Sequence, residues 1–150
     1  MPNNVHELDD VDRTLVRLLR SDGRMPNNEL AGRAGIAPST CLTRLRRLRD
    51  AGVIRGIHAD IDPAALGRPI QAMIAVQVTS TARGAVDEFV QDVRRLPGVL
   101  NVYFVSGRDD FLVHVAVSDT NELRALVAED LGSAKVARTE TKLIFEHFAR

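Results

Sequence analysis

The chain has 150 residues, 45% of them hydrophobic, and a formal net charge of zero. This length allows one full domain or two small ones with a buried core, and the balanced charge gives no global sign of a polycation. A single cysteine, Cys41, excludes an internal disulfide and fits a reducing compartment. The first residues lack a secretory pattern, and no apolar stretch reaches the ~20 residues of a membrane span. We therefore expect a cytoplasmic protein with no membrane partner.

Three short helices are predicted in the first third of the chain. Asp9 is a suitable cap for the first helix, and Asp10 and Asp12 favour the positive end of the helix dipole. Val and Leu side chains follow at helical spacing. Gly23 ends this helix. A second helix covers 27–34, and it starts either with Pro26 as its first residue or with Asn27 as its cap.

The third predicted helix, within 38–54, separates an apolar stripe from a polar surface. On a helical projection Cys41, Leu45 and Leu48 share one face. The opposite face carries Ser, Thr and Arg side chains. These suit DNA, because Arg can make two hydrogen bonds to guanine or to phosphate, and Ser and Thr can contact either. Gly52 ends the helix in a left-handed turn. That other face consists of Ser39, Thr40, Thr43, Arg46 and Arg47.

The second and third helices, joined by a short turn with Gly at 35–37, form a helix-turn-helix pattern. The recognition helix of such a motif reads base edges with its first turns and contacts the DNA backbone elsewhere. The alternative is a three-helix bundle whose basic helix binds no ligand. We assign Ser39, Thr40 and Thr43 to base edges, with Arg47 as a further candidate, and Arg44, Arg46 and Arg49 to phosphates or internal ion pairs.

The apolar period changes from helical to alternating after residue 53, which predicts a strand over 53–61. Pro and Gly residues between 60 and 69 then mark a domain boundary. The rest of the chain predicts strands over 70–78, 99–105, 111–117 and 136–148, and helices over 82–95 and 121–131. The order β-α-β-β-α-β is that of a ferredoxin-like domain. The predicted fold class is therefore α+β, a helix-turn-helix (winged-helix-like) domain followed by a ferredoxin-like domain.

The predicted turn at 107–110 carries groups that suit an amino-acid ligand. Gly107 allows close approach of its backbone, and its N–H suits a carboxylate. Asp110 offers a carboxylate to an ammonium group, and Arg108 can clamp a carboxylate with two hydrogen bonds. A plain hairpin is the alternative, because Gly-x-Asp-Asp is ordinary turn chemistry.

Other chemistries have weaker support in the sequence. An RNA-recognition module needs aromatic residues on its central strands, and 70–78 contains none. No nucleophile–base pair indicates an enzyme, and the four histidines lack metal-ligand spacing. Cys41 is interpreted as a packing residue rather than a redox sensor, and His114 as a packed or surface histidine. The alternatives to a DNA-binding regulator are therefore an RNA-binding protein and a metabolite-binding module of this fold.

The chain resembles the Lrp/AsnC (feast/famine) transcriptional regulators of bacteria and archaea in several runs of sequence. These are DGR at 22–24, NELAGRAGIAPSTCLTRLRRLRDAGVIRG at 28–56, SGRDDFLV at 106–113 and RTET at 138–141. The resemblance implies a DNA-binding domain at 1–60, a linker at 61–69 and, at 70–150, the RAM domain, which assembles the protein and binds the effector. It further implies homodimers that form higher oligomers, often octamers, with amino acids as effectors and no other cofactor.

The resemblance and the helical projection together define two sets of candidate site residues. The DNA-binding set is Ser39, Thr40, Thr43, Arg44, Arg46 and Arg47, which we call the α3 face because it lies on the third predicted helix (α3, within 38–54). The effector-binding set is Ser106, Gly107, Arg108, Asp109, Asp110, Thr139 and Thr141, with both threonines expected on the strand beside the turn.

Overall fold

The computed structural model describes residues 7–80, 84, 86–132 and 135–146. Its internal contacts divide the chain into two compact units, Met1–Asp60 (unit 1) and Ile61–Arg150 (unit 2). Among the residues described, none of the helices has the length and hydrophobicity that crossing a lipid bilayer requires.

Unit 1 consists of three helices around a small apolar core. They are α1 at Asp10–Ser21, α2 at Asn27–Ala34 and α3 at Pro38–Asp50. The predicted cap of α1 is confirmed, because Asp9 accepts a 2.8 Å hydrogen bond from the backbone N–H of Asp12. The helix ends before Gly23, with Asp22 as its C-cap. The core contains Leu15, Met25, Leu30, Ala31, Cys41 and Leu45.

The turn between α2 and α3 has the geometry of a helix-turn-helix motif. Pro26 is the N-cap of α2 and Asn27 is its first residue, so both predicted starts, Pro26 as the first residue and Asn27 as the cap, are wrong by one position. Gly35 closes α2 at φ 68°, a left-handed conformation that glycine adopts without steric cost. The side chain of Asn27 donates to the carbonyl of Pro38 at 3.0 Å, which joins the starts of both helices. Gly52 follows α3 at φ 71°, as predicted.

The predicted strand over 53–61 is wrong. Within the described part of the chain this segment pairs with no strand, and its Ile57 and Ile61 side chains are 47% and 58% exposed. Val53 and Ile54 instead donate their N–H groups to the carbonyl of Leu48 at the end of α3. Alternating hydrophobicity gives a strand only where a second strand supplies the ladder of hydrogen bonds, and none does so here.

Unit 2 is an antiparallel sheet with its helices on one face. The strands are β1 at Ile70–Val78, β2 at Val99–Phe104, β3 at Phe111–Val117 and β4 at Val136–Ile144, in the order β2-β3-β1-β4. The helices are α4 at Val86–Arg94 and α5 at Thr120–Ala125, which continues as a π-helical turn over Leu126–Asp130. This is the predicted ferredoxin-like arrangement, and its sheet positions the loop between β2 and β3.

The core of unit 2 lies between the sheet and its helices. Phe111, Val113, Val115 and Val117 alternate along β3, and all four are fully buried. The Phe89 ring of α4 packs on Phe111 with ring centroids 4.7 Å apart. Some predicted boundaries differ: β2 ends at 104 rather than 105, and the described part of β4 ends at 144. Residues 82, 83 and 85 of the predicted helix, and 147–148 of the predicted last strand, lie outside the described residues.

Candidate DNA-binding face and effector hairpin

Helix α3 turns its apolar stripe inward and its polar side chains outward. Cys41 and Leu48 are fully buried and Leu45 is nearly so. The α3 face lies on the opposite side, where all its residues are exposed except Arg44, which is half-buried. The helical projection is therefore confirmed for the orientation of these side chains.

One shallow depression collects most of the α3 face. Its volume is about 360 Å³, and it is lined by Ser39, Thr40, Thr43, Arg44 and Arg47. Arg46 does not line it and points into solvent beside it. The hydroxyl of Thr43 donates to the carbonyl of Ser39 at 3.1 Å, which fixes its rotamer within the helix. The depression therefore combines hydroxyl and guanidinium donors on one surface.

Two carboxylates of α1 hold two arginines of this depression. Arg44 Nη1 donates to Asp9 Oδ2 at 2.5 Å and to Asp12 Oδ1 at 3.0 Å. Arg47 Nη2 donates to the other oxygen of Asp12. The Asp12 side chain is fully buried, while Arg44 and Arg47 keep 25% and 49% of their side-chain surface exposed. The four side chains form one chain of alternating charge, Asp9–Arg44–Asp12–Arg47.

This cluster also perturbs the acid–base chemistry of its members. The backbone N–H of Asp12, together with Arg44, lowers the pKa of the Asp9 carboxyl because both stabilise its ionised form. Asp9 and then Asp12 raise the pKa of Arg44 in turn. Arg44 therefore stays charged, and Asp9 and Asp12 offset part of that charge.

The second role of these aspartates was not predicted from the sequence. The pattern indicated only a cap at Asp9 and, at Asp12, a favourable charge near the helix start. The signal was present in the spacing, because Asp12 stands three residues before Leu15, on the buried side of α1. A carboxylate at a buried position needs a partner, and an arginine-rich neighbouring helix is the obvious source.

Arg46 and Arg49 differ from the two held arginines. Both are exposed, and no carboxylate in the described part of the chain forms an ion pair with either side chain. Arg49 also lines a second depression of about 370 Å³, with Ile54, Arg55, Gly56 and Ile57. The guanidinium groups of Arg46 and Arg49 can therefore bind an external partner without breaking an ion pair within the described residues.

In unit 2 the loop at 106–110 is a hairpin turn fastened to β1. The Asp110 N–H donates to the carbonyl of Val76 at 3.0 Å, and Asp110 Oδ2 accepts from the Val78 N–H at 2.9 Å. The side-chain amide of Gln77 donates to the carbonyl of Arg108. Gly107 adopts φ 123°, a conformation that favours glycine. Asp110, predicted as a ligand for an ammonium group, therefore braces the backbone of the turn.

The structure separates the predicted effector residues into two groups. Ser106, Gly107, Arg108, Asp109 and Asp110 lie together in the hairpin, with Asp109 and Asp110 half-buried. Thr139 and Thr141 pair with Val76 and Ile74 of β1. The expectation that they lie on the strand beside the turn is wrong, because β1 stands between β4 and the strands that form the hairpin. Two strand spacings, about 10 Å, therefore separate the backbones of the two groups.

The remaining candidates play structural parts. Burial raises the pKa of the Cys41 thiol, which fits the packing interpretation. His114 on β3 lies 3.1 Å from the Gln71 side chain, while His6 and His147 lie outside the described residues. Within the part of the chain that is described, no group of His, Cys, Asp or Glu side chains has the arrangement of a metal site.

Comparisons with known proteins match both halves of the chain. Residues 71–150 match the Lrp/AsnC ligand-binding domain, and residues 8–55 match a winged helix-turn-helix DNA-binding domain. The chain is 57% identical over 142 residues to the HTH-type transcriptional regulator AldR of Mycobacterium tuberculosis, covering 94% of this chain and 79% of that protein.

Solved structures show the same similarity. The crystal structure of MtbAldR matches with a TM-score of 0.82 at 50% identity, covering 95% of this chain and 97% of that one. A feast or famine regulatory protein from M. tuberculosis, complexed with L-methionine, matches with a TM-score of 0.86 at 34% identity and covers 95% of each chain.

Proposed function

Because the chain belongs to the Lrp/AsnC family of transcriptional regulators, we propose that its α3 face is the surface that reads operator DNA. Membership makes the protein a DNA-binding regulator rather than an enzyme. The observation that supports the surface assignment is the depression lined by hydroxyls and guanidinium groups on the exposed side of α3. Such a helix fits the major groove, where Ser, Thr and Arg contact base edges.

We assign roles within the α3 face by position along the helix. Ser39, Thr40 and Thr43 occupy the first turns, which enter the groove most deeply, and contact bases together with Arg47. Arg46, and Arg49 beyond the face, contact phosphates. Arg44, held by Asp9 and Asp12, lies at the border between these groups.

The proposed division of labour follows the two units. Residues 1–60 bind DNA, 61–69 form a linker, and 70–150 assemble the protein and bind the effector as a RAM domain. One recognition helix offers too little surface for tight binding, so we propose a twofold dimer that presents two helices to successive DNA turns. We further propose that dimers assemble into an octamer and that the regulator acts in the cytoplasm.

The proposed effector is an amino acid bound at the hairpin of 106–110. A relative of the same fold is complexed with L-methionine, and this hairpin offers a glycine backbone, the Arg108 guanidinium and the Asp109 carboxylate on one turn. These groups complement the carboxylate and ammonium that every amino acid carries. Because Thr139 and Thr141 lie about two strands away, they complete the site only for a ligand that a second subunit helps to enclose.

The DNA assignment is tested by selecting duplexes from a random library with the full-length protein and measuring their affinity for variants. Arg47→Ala should weaken binding of the selected duplex at least about 30-fold, from about 1 kcal/mol at each of two half-sites. Arg33→Ala is the matched control, because it removes the same charge from the exposed side of α2, where Arg33 pairs with Glu29 at 2.7 Å. Equal affinities for the Arg47 variant and the native protein would refute the proposed surface.

The effector assignment is tested by a thermal-shift screen of the common amino acids, followed by light scattering with and without each hit. Arg108→Ala should remove the stabilisation by the hit, because Arg108 would hold its carboxylate. Arg95→Ala, another exposed arginine of unit 2, should leave it intact. Stabilisation that survives Arg108→Ala unchanged would remove the hairpin from the site.

A further inference from the structure

We propose that Asp9 and Asp12 of α1 set the sequence specificity of DNA binding, because they orient Arg44 and Arg47 and offset their charge. This inference rests on the proposed role of the α3 face. The two aspartates are positioning residues, since they act through the arginines and contact no base themselves. Without them, the same arginines would be attracted to any phosphate.

The first argument is geometric. Asp12 is fully buried and uses one carboxylate oxygen for Arg44 and the other for Arg47. Asp9 likewise divides its oxygens, one capping α1 at the Asp12 N–H and the other accepting from Arg44. The guanidinium groups are therefore held at two fixed points on the body of unit 1.

The second argument concerns the donors that remain. An Arg guanidinium has five N–H donors in a rigid plane. These contacts use only Nη1 of Arg44 and Nη2 of Arg47, so each side chain keeps donors for an outer partner. A plane that is already oriented loses less side-chain entropy when it makes a two-pronged contact with a base.

The third argument is electrostatic. Asp9 and Asp12 together offset the charge of Arg44 and Arg47, whereas Arg46 and Arg49 have no carboxylate partner in the part of the chain described. Phosphate attraction is the same for every DNA sequence and dominates non-specific affinity. Reducing it at Arg44 and Arg47 while keeping their donors raises the ratio of specific to non-specific binding.

The test uses Asp9→Asn in the full-length protein. Asn caps helices as well as Asp does, so this variant keeps the start of α1. It replaces the carboxylate oxygen that accepts from Arg44 by a neutral amide group, and so removes the hold on Arg44 together with the charge. Asp10→Asn is the matched control: Asp10 lies one residue later in the same turn, its side chain is fully exposed, and it pairs with Arg13 instead of α3. The probes are a duplex selected by the native protein and poly(dI-dC) as non-specific DNA, each titrated over a series of salt concentrations.

We expect Asp9→Asn to bind poly(dI-dC) more tightly and with a steeper salt dependence, by about 0.9 log units per log of salt for each phosphate gained. Its ratio of specific to non-specific affinity should fall at least about fivefold, the low end of what one oriented arginine contributes to base discrimination. Asp10→Asn should change this ratio little. A merely structural role for Asp9 would lower both affinities and leave the salt dependence unchanged.

That result and two others would overturn the inference. If Asp9→Asn and Asp10→Asn change both affinities alike, general charge and not positioning is responsible. If both variants keep the native ratio while Arg47→Ala still loses specific binding, the proposed function stands and the inference about α1 fails. Asp12→Asn is a second test, provided that its circular dichroism spectrum matches that of the native protein. It too should lower the ratio of specific to non-specific affinity.

Discussion

The carboxylates of Asp12, beneath the α3 face, and of Asp110, in the hairpin of unit 2, accept hydrogen bonds from different kinds of donor. Asp12 is fully buried and accepts from two arginine side chains, which it holds at the surface. Asp110 accepts from the backbone N–H of Val78 and fastens the hairpin to β1. Both residues lie at candidate sites. Asp12 holds two charged side chains in place at a surface, whereas Asp110 maintains the conformation of a loop.

This difference teaches how to interpret an acidic residue at a candidate site. A carboxylate that pairs with arginine side chains acts through its negative charge, and at Asp12 that charge stabilises two cations. A carboxylate bound to a backbone N–H is an acceptor, and a neutral amide oxygen can replace it. Substitution by asparagine therefore distinguishes the two roles.

The largest expected effect is that of Asp12→Asn on the stability of unit 1. A single amide oxygen cannot serve two guanidinium groups, and the amide NH₂ would face a cation. We expect a loss of about 3 kcal/mol, the scale measured when one partner leaves a buried ion pair. Urea unfolding followed by circular dichroism gives the free energy of unfolding. Hydrogen exchange in α1 and α3 shows whether the loss of stability lies in these helices. A cost equal to that of the exposed Asp10→Asn would contradict the ion-pair role.

Asp110 should respond differently to the same pair of substitutions. Asp110→Ala leaves the Val78 N–H without its acceptor and should cost about 1–3 kcal/mol. Asp110→Asn keeps an acceptor and should cost less than about 1 kcal/mol. Tyr103 in β2 is the only tyrosine of a chain without tryptophan, so its fluorescence reports the unfolding of unit 2 alone. If both variants were equally unstable, the charge of Asp110 would matter more than its hydrogen bond.

The smallest expected effect is the pH dependence contributed by Asp9. The pKa of Asp9 is lowered in the folded protein, so the ionised carboxylate stabilises the fold. This contribution is complete above the ordinary aspartate value of about 4 and is lost as the pH falls through the lowered value. Acid unfolding of the native protein, compared with Asp9→Asn, should show a shallower loss of unit 1 stability in the variant. Parallel curves for the two proteins would show that Asp9 does not contribute.

The sequence predicted the elements whose stabilising contacts are local or repeat regularly. The bounds of α2, β1 and β3 match the predictions, since Gly35 ends the helix and strict alternation from Phe111 to Val117 defines the strand. Helical spacing also predicted the exposed side of α3, apart from Arg44, which the family resemblance added. These features depend on the hydrophobic periodicity within a single helix or strand, which can be seen directly in the sequence.

The larger failures involve partners distant in sequence. Residues 53–61 alternate but lack a pairing strand, and Thr139 could be placed correctly only once the order of the strands was known. Asp12 was assigned to the helix dipole because its partners lie more than thirty residues later, as the separation of 32 between Asp12 and Arg44 shows. Side-chain spacing within one helix contains no information about which neighbouring helix supplies a charge.

The double use of Asp9 has a consequence for redesign of this regulator. Its two carboxylate oxygens join the first turn of α1 to Arg44 of α3. The two helices should therefore be transferred together in any graft. Grafting α3 alone onto another scaffold would transfer the arginines without the carboxylates that hold them. Libraries that alter operator preference should therefore vary positions 9, 12, 44 and 47 together, and natural drift at any one of them should be compensated at the others.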